Sequence, residues 1–224
     1  MSNWKEIWNK KGENVDVEKL QDLINANGYE TSGLNEFNLT KFINEQIQFL
    51  GIKQWNSVYE VGCGAGTILS LFNKYGSVVG GCDYSKSLTK IAKSLKISND
   101  IECLSADKIS SDIKYDFVIS MGVFHYFPNL DYVTTVTELM LEKANKEIAI
   151  FDLNDESKKE LYYEIRRSHE PDYDKKYAGI EHLFIDRQFW IDFAKNRDLK
   201  VIIEDQQIEG YKNEKFRYNV YLKK

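Results

Sequence analysis

Cysteine, long apolar runs and basic charge are all in short supply in this sequence, and each scarcity excludes a class of protein. The three cysteines, Cys63, Cys82 and Cys103, form no C-x-x-C pair, so we expect neither a zinc site nor a disulfide framework. No apolar run is long enough to cross a bilayer, and the first residues contain no apolar stretch of signal-peptide length. These features predict a cytoplasmic protein without a membrane partner or a bound metal.

The charge balance argues against a nucleic-acid partner. The sequence has 30 Lys and Arg residues against 35 Asp and Glu residues, for a formal net charge of −5. Non-specific binding of nucleic acid relies on basic surface that neutralises phosphates. What is present suits a globular protein, because 224 residues, 42% of them hydrophobic, are enough for one α/β domain with a full core.

The most informative stretch is Ser57–Leu69, where an apolar run containing Glu60 gives way to glycines at positions 62, 64 and 66. An apolar stretch resumes directly afterwards, so the pattern predicts a strand, a tight turn and the start of a helix. Glycine permits a positive φ and leaves no side chain between the backbone and a ligand. Since a helix N-terminus behind the loop offers free N–H groups, we predict that the loop binds something small and polar.

The spacing of these glycines distinguishes two families of nucleotide loop. The dinucleotide fingerprint G-x-G-x-x-G would require its third glycine at position 67, where this chain has Thr67. The run Glu60-Val-Gly-Cys-Gly-Ala-Gly66 instead resembles motif I of the class I S-adenosylmethionine-dependent methyltransferases. The resemblance covers roughly Ser57 to Asp152. It implies a Rossmann-like α/β fold with a seven-stranded, mostly parallel sheet, one antiparallel strand and helices on both faces.

A second acid follows the loop at the distance that a βαβ unit requires. The apolar run that begins at Val78 ends on Asp83, and the interval from Gly66 suits one helix and one return strand. Asp83 is thereby predicted to lie beside the glycine loop, where a carboxylate can accept hydrogen bonds from the two hydroxyls of a ribose. The alternative is that Asp83 caps the helix that begins near Ser85, and the two roles are compatible.

The resemblance also implies how the rest of the cofactor is bound. Asp107 matches the acid that takes the adenine amino group in this family, although a lone acid at this place is more often a turn residue. The fourth strand, which begins at Tyr115, should end beside the transferable methyl group. The implied cofactor is S-adenosyl-L-methionine, with S-adenosyl-L-homocysteine as the product, bound by Glu60, Gly62, Cys63, Gly64, Gly66, Asp83, Tyr84, Ala106, Asp107 and Met121.

Two segments outside these motifs are candidates for binding the methyl acceptor. Residues 1–50 are predicted to form an N-terminal helical cap, in which Trp4 and Trp8 share one helix face and either anchor the helix or wall the site. Residues 51–224 form the predicted methyltransferase domain. Within it, residues 153–182 are too long for a plain strand-to-helix loop. We predict an insertion there, which is either a solvated helix with a surface loop or the substrate-binding part of the domain.

The absence of one motif narrows the acceptor. Pro128 and Pro171 are the only prolines, so the Asn/Asp-Pro-Pro-Tyr run used on nucleobase and glutamine amides is missing. We therefore expect a small polar metabolite that is methylated on oxygen or nitrogen. A sugar, a sugar nucleotide or a surface-polysaccharide precursor is a hypothesis based on the polar insertion. A hydroxyl acceptor needs a general base, for which His125 and His182 are the candidates and His169 a weaker one.

Two other functions compete with this prediction. One is a nicotinamide-dependent oxidoreductase on a related fold, which the glycine spacing disfavours. The other is a partner protein that keeps the fold and the cofactor without catalysing a reaction, because a fold does not by itself specify a function. The sequence gives no indication of the oligomeric state.

Overall fold

A seven-stranded sheet lies at the centre of the structure, a computed structural model that describes residues 4–12 and 15–224. Residues 1–3, 13 and 14 of the predicted cap and the side chains of His169 and Lys176 lie outside this description. The strands are β1 (Ser57–Val61), β2 (Val78–Asp83), β3 (Ile101–Cys103), β4 (Tyr115–Met121), β5 (Ala144–Asn154), β6 (Lys200–Asp205) and β7 (Arg217–Lys223). Their spatial order is β3-β2-β1-β4-β5-β7-β6.

The direction of the strands agrees with the fold class predicted from the sequence. The strands β1 to β5 pair in parallel, whereas β7 is antiparallel to both of its neighbours, β5 and β6. The prediction of a mostly parallel sheet with one antiparallel strand is therefore confirmed. The chain moves outward from β1 to β3 and then crosses to β4, so the strand order reverses between β1 and β4. In open α/β sheets, ligands bind in the crevice outside the carboxyl ends of the strands at such a reversal.

Helices cover both faces of the sheet because successive residues of a strand point to opposite faces. In β1, Val58 packs into a core beneath the helices Glu36–Phe49 and Thr67–Tyr75. Tyr59, on the opposite face, packs into a core beneath the helices Leu130–Lys143 and Arg187–Lys195. With both faces covered, the parallel strands are apolar along most of their length. The helices are α1 (Trp4–Asn9), α2 (Leu20–Ile24), α3 (Glu36–Phe49), α4 (Thr67–Tyr75), α5 (Lys86–Ser94), α6 (Leu130–Lys143), α7 (Lys159–His169), α8 (Tyr173–Lys176) and α9 (Arg187–Lys195).

Two segments flank the carboxyl edge of the sheet. The N-terminal segment contributes α1, α2 and a turn over Asn25–Tyr29. The segment between β5 and α9 contains α7 and α8, and a bridge between Asp155 and Ile185 joins its two ends. Among the residues that the structure describes, no helix has both the length and the apolar character needed to span a bilayer.

Candidate functional site

A cavity of about 350 Å³ lies at the carboxyl ends of β1, β2 and β4, in the crevice where the strand order reverses. This volume is in the range of small-molecule sites. Its walls come from α1, the turn over Asn25–Tyr29, the glycine loop and the segments that follow β2, β3 and β4. Seven of the predicted cofactor-binding residues line it, namely Glu60, Gly62, Gly64, Asp83, Tyr84, Ala106 and Met121.

The glycine loop between β1 and α4 has a backbone conformation that favours glycine. Gly62 and Gly64 have φ angles of 79° and 52°, in the left-handed region. A Cβ atom on Gly62 would lie 2.3 Å from Val123, and one on Gly64 would lie 2.4 Å from the Asn27 side chain. A larger residue would therefore be strained at either position, and both glycines line the cavity.

Three predicted cofactor-binding residues do not line the cavity. Cys63 is buried in the core. Gly66 directly precedes α4, and a Cβ atom on it would lie 3.2 Å from Ala92 of α5. The Asp107 carboxylate accepts a hydrogen bond of 2.9 Å from the Tyr132 hydroxyl and pairs with the exposed Lys108. Since Tyr132 itself lines the cavity, Asp107 lies one side chain away from it. Its contact with an adenine amino group stays a prediction.

Asp83 lies at the end of β2, beside the glycine loop as the βαβ spacing predicts. One carboxylate oxygen accepts from the backbone N–H of Gly64 at 3.0 Å and the other from that of Ser85 at 2.7 Å. The cap of α5 is Ser85, whose hydroxyl accepts from the N–H of Leu88. Burial raises the pKa of Asp83, and these two backbone hydrogen bonds oppose the rise. The carboxylate is thus fixed in orientation at the cavity wall.

Glu60 brings a second carboxyl group to the same cavity. Its side chain is 2% exposed, and Oε2 has no hydrogen-bond partner among the described residues. Burial, and secondarily the negative charge of Asp83, raise the pKa of Glu60 well above its usual range. Leaving a buried polar atom without a partner is costly. Two acids at one cavity, one of them with an oxygen that lacks a partner, therefore suit a ligand that carries positive charge or hydrogen-bond donors.

The two histidines proposed as general bases lie behind the cavity wall. His125 is 5% exposed, and its Nδ1 atom lies 3.0 Å from Nη1 of Arg217. The His182 ring stacks against Trp4 with centroids 4.8 Å apart. Neither lines the cavity, whereas Tyr126, in ring contact with both, does. Burial, aided by Arg217, lowers the pKa of His125 well below its usual range and that of His182 to about 3. Their role as bases stays a prediction.

Asn27 is a cavity residue that the sequence analysis missed. Its Oδ1 atom accepts from the backbone N–H of Ala65 at 2.7 Å, and its Nδ2 atom donates to the Thr67 hydroxyl at 3.1 Å. Both contacts are to the glycine loop or to the first residue of α4, so Asn27 attaches the N-terminal segment to the loop. The sequence shows only an Asn-Gly turn at this place, with no local sign of a partner some forty residues away.

Tyr29 is a second cavity residue that the sequence does not indicate. It lies with Trp4 and Trp8 of α1, for which the sequence predicts either an anchoring role or a place in the wall of the site. All three line the cavity. The rings of Trp4 and Trp8 contact the Tyr126 ring, with centroids 4.8 and 5.4 Å apart. The Trp8 carbonyl also accepts a hydrogen bond from the Ser85 hydroxyl, which anchors α1 at the start of α5. The α1 helix therefore has both roles: its tryptophans form part of the cavity wall, and its Trp8 carbonyl anchors it to α5.

Comparison with known proteins gives one family model, described as a methyltransferase domain, which matches residues 59–149. Among curated proteins, the ubiquinone biosynthesis O-methyltransferase of Coxiella burnetii is 28% identical over 94 residues, which are 40% of this chain and 38% of that protein. The match thus spans well under half of the relative's length.

Two solved structures have the same fold. Magnesium protoporphyrin IX methyltransferase from Synechocystis PCC 6803, with bound S-adenosylhomocysteine, has a TM-score of 0.64 at 14% identity over 92% of this chain and 98% of that one. The plantazolicin methyltransferase BpumL, in complex with a triazolic desmethylPZN analog and S-adenosylhomocysteine, has a TM-score of 0.67 at 16% identity over 100% of this chain and 99% of that one.

The sheet order, the antiparallel β7 and the glycine loop define the class I methyltransferase fold, so the resemblance drawn from motif I is confirmed. The family model for a methyltransferase domain matches residues 59–149 of this chain, which is less than half of its length. The matched segment begins inside β1 and ends inside β5, so it contains the glycine loop and Asp83. Asn27 and Tyr29 lie outside it.

Proposed function

We propose that this chain is an S-adenosylmethionine-dependent methyltransferase that methylates an oxygen or nitrogen atom of a small polar molecule. The observation that carries the proposal is the joint position of Gly62, Glu60 and Asp83 on one cavity at the carboxyl edge of the sheet. The neighbouring structures of the same fold, with S-adenosylmethionine or S-adenosylhomocysteine bound, support this cofactor.

The residues around the cavity fit such a cofactor. Asp83 would bind the ribose hydroxyls, and the loop backbone at Gly62 and Gly64 would approach the methionine portion. Glu60, with its unpaired buried oxygen, would accept hydrogen bonds from the ammonium group. Tyr84, which follows Asp83 in the chain, and Ala106, which lies after β3, also line the cavity and would contact the adenosine portion. The cofactor itself supplies a methyl group on a positively charged sulfur, which is already a good leaving group.

Catalysis in this proposal depends mainly on position. The protein must hold the acceptor atom in line with the methyl group, which is catalysis by proximity and orientation, and must keep water out. The side chains of Trp4, Trp8 and Tyr126 suit the second task because both tryptophan rings pack against the Tyr126 ring in the cavity wall. His125 and His182 are retained as hypothetical bases for a hydroxyl acceptor, although each would have to act from behind Tyr126.

The identity of the acceptor is a separate hypothesis. The similar proteins are named for a ubiquinone precursor pathway, a magnesium protoporphyrin and plantazolicin, and this variety favours no single acceptor. The hypothesis that the acceptor is a sugar or sugar nucleotide is based only on the polar character of residues 153–182. We further propose that this segment and residues 1–50 act as the acceptor-binding cap, since α1 contributes two tryptophans to the cavity wall.

Thermal melting tests the cofactor. A ligand that binds only the folded state raises the unfolding free energy by about 2.7 kcal/mol at a concentration one hundred times its Kd. For a chain of this size we expect a rise of about 5–10 °C with S-adenosylhomocysteine and none with NADH. The Asp131→Asn variant, at an exposed acid outside the cavity, should respond like the wild type. A shift with NADH alone would favour the oxidoreductase.

Transfer of a labelled methyl group into a fractionated small-molecule extract tests the activity. We expect label in at least one low-molecular-weight fraction, and the labelled compound names the acceptor. Binding of S-adenosylhomocysteine without transfer into any fraction would instead support the non-catalytic partner.

A further inference from the structure

The Tyr29 hydroxyl occupies a defined place at the end of β4. Gly122, the residue after β4, has a φ of 68° and lines the cavity. A Cβ atom built on Gly122 would lie only 2.1 Å from Tyr29 Oη and 3.6 Å from Asp152 Oδ2. The phenol oxygen thus fills the space that a side chain at position 122 would need. In the sheet order, this point is across β1 from Asp83, so it is the end of the cavity away from the proposed ribose site.

Asp152 is aimed at the same point by an irregularity in β5. Its φ of 64° is in the left-handed region, which is uncommon for a residue other than glycine. The pairing of β5 with β7 shifts register between Ile150 and Leu153, and such bulges often redirect a side chain near an active site. The carboxylate is consequently turned into the protein, with a side chain only 1% exposed.

The surroundings of Asp152 leave it incompletely hydrogen-bonded. Oδ2 accepts a hydrogen bond of 2.9 Å from the Tyr211 hydroxyl, whereas Oδ1 has no hydrogen-bond partner among the described residues. Arg217 lies beside it with Nε 3.9 Å from Oδ1, and its Nη1 donates to the Asp152 carbonyl at 3.2 Å. This buried cation balances the charge of the carboxylate.

The Tyr29 hydroxyl is available to a ligand. Within the described residues, no protein group forms a hydrogen bond with it, and its ring lines the cavity. Burial, and then the charge of Asp152, raise the pKa of Tyr29 well above its usual range, so the phenol stays neutral at physiological pH. A neutral phenol can donate one hydrogen bond and accept others.

We propose that Tyr29 positions the methyl acceptor at the point of methyl transfer, and that the negative charge of the nearby Asp152 carboxylate orients the Tyr29 O–H bond. The phenol oxygen accepts a hydrogen bond from an O–H or N–H group of the methyl acceptor, while the phenol hydrogen is turned toward Asp152 without a direct hydrogen bond to it. The acceptor class is therefore a molecule whose reacting oxygen or nitrogen carries a hydrogen. This inference rests on the proposed function and assigns the acceptor end of the same cavity to these two residues.

The test uses S-adenosylmethionine labelled with ¹³C in its methyl group and bound to the full chain. The methyl resonance of the complex is compared between the wild type, Tyr29→Phe and a matched control, Tyr75→Phe, whose hydroxyl bonds the Ile52 carbonyl away from the cavity. We expect Tyr29→Phe to displace the methyl resonance with little change in cofactor affinity, and Tyr75→Phe to leave it in place. Asp152→Asn should displace it in the same direction, by less.

The outcomes separate this inference from the proposed function. If the wild type does not bind the labelled cofactor, the proposed function itself fails. If the wild type binds the cofactor and Tyr29→Phe leaves the methyl resonance unmoved, only the role of Tyr29 is refuted. If Tyr29→Phe moves the resonance and Asp152→Asn does not, only the role of Asp152 is refuted. A nuclear Overhauser effect between the bound methyl group and the Tyr29 ring protons in the wild type is expected, and its absence would refute the contact even if a variant failed to fold.

Discussion

Replacing Glu60 by Gln should stabilise the unliganded protein while weakening its binding of cofactor. Glu60 is 2% exposed, and burial together with the nearby Asp83 raises its pKa well above the ordinary 4.5. The charged form is therefore disfavoured in the folded chain and not in the unfolded chain. Gln keeps the shape of the side chain but cannot ionise, so the variant isolates the charge.

The sign of the pH dependence follows from this shift. Because the folded protein binds the Glu60 proton more tightly than the unfolded chain, the unfolding free energy falls as the pH rises from about 4.5 to the folded pKa. Each unit of difference between the two pKa values costs about 1.4 kcal/mol above that window. Each kcal/mol corresponds to about 2–4 °C in Tm for a chain of this length. At pH 8 without ligand, Glu60→Gln should melt above the wild type.

The affinity for ligand should fall in the Glu60→Gln variant, whereas the stability of the unliganded protein rises. A hydrogen bond to a charged group is worth about 1.5–3 kcal/mol, so losing the carboxylate should weaken S-adenosylhomocysteine by about tenfold to a hundredfold. The unfavourable burial of Glu60 is thus a cost to the unliganded fold that a ligand with an ammonium group offsets.

The assay is a set of thermal melts between pH 5 and 9, with and without S-adenosylhomocysteine, complemented by calorimetric titration at pH 8. Glu209→Gln is the control, since that side chain is 88% exposed, and it should behave like the wild type throughout. A Glu60→Gln protein that melts below the wild type at pH 8 without ligand, or binds the ligand equally well, would refute the reasoning.

Three further predictions concern the same cavity. Asp83→Asn should reduce the affinity for S-adenosylhomocysteine at least about tenfold with the fold retained, since it loses a charge-assisted hydrogen bond; unchanged affinity in calorimetry would remove the ribose assignment. Asn27→Ala leaves the Ala65 N–H and the Thr67 hydroxyl without their partner. It should lower the unfolding free energy by about 1–3 kcal/mol in urea titrations, and an unchanged midpoint would show that these bonds contribute nothing. If His125 is the base, His125→Ala should lower kcat by about 10²–10⁴ with S-adenosylhomocysteine binding intact, whereas normal turnover excludes it.

The architecture was predictable because its signals are local. Parallel strands buried on both faces appear as apolar runs, and Glu60 and Asp83 close two of them. Helix starts are equally local, since Ser85 and Asn129 cap α5 and α6 through hydrogen bonds to residues three positions on. Asp83 could be assigned to the glycine loop because the carboxyl ends of adjacent parallel strands meet at one edge of the sheet.

Burial and distant pairing were not predictable. His125 and His182 were chosen because their chain positions follow β4 and the insertion, but nothing in the sequence indicates that Arg217, 92 residues beyond His125, would lie against its ring. The register shift that turns Asp152 inward is also invisible as a pattern, because the run from Ile148 to Leu153 looks like an ordinary strand.

The two ends of the cavity therefore differ in how they are encoded. The proposed cofactor end is built from the loops after consecutive strands of one continuous segment, so its residues keep a fixed spacing that a family model can match. The proposed acceptor end joins Tyr29, Gly122 and Asp152, of which only Gly122 lies within that segment. Its geometry depends on how the N-terminal turn packs against the ends of β4 and β5. Under this proposal, acceptor specificity can change through the flanking segments while the glycine loop stays the same, so motif I indicates the methyl donor and leaves the acceptor open.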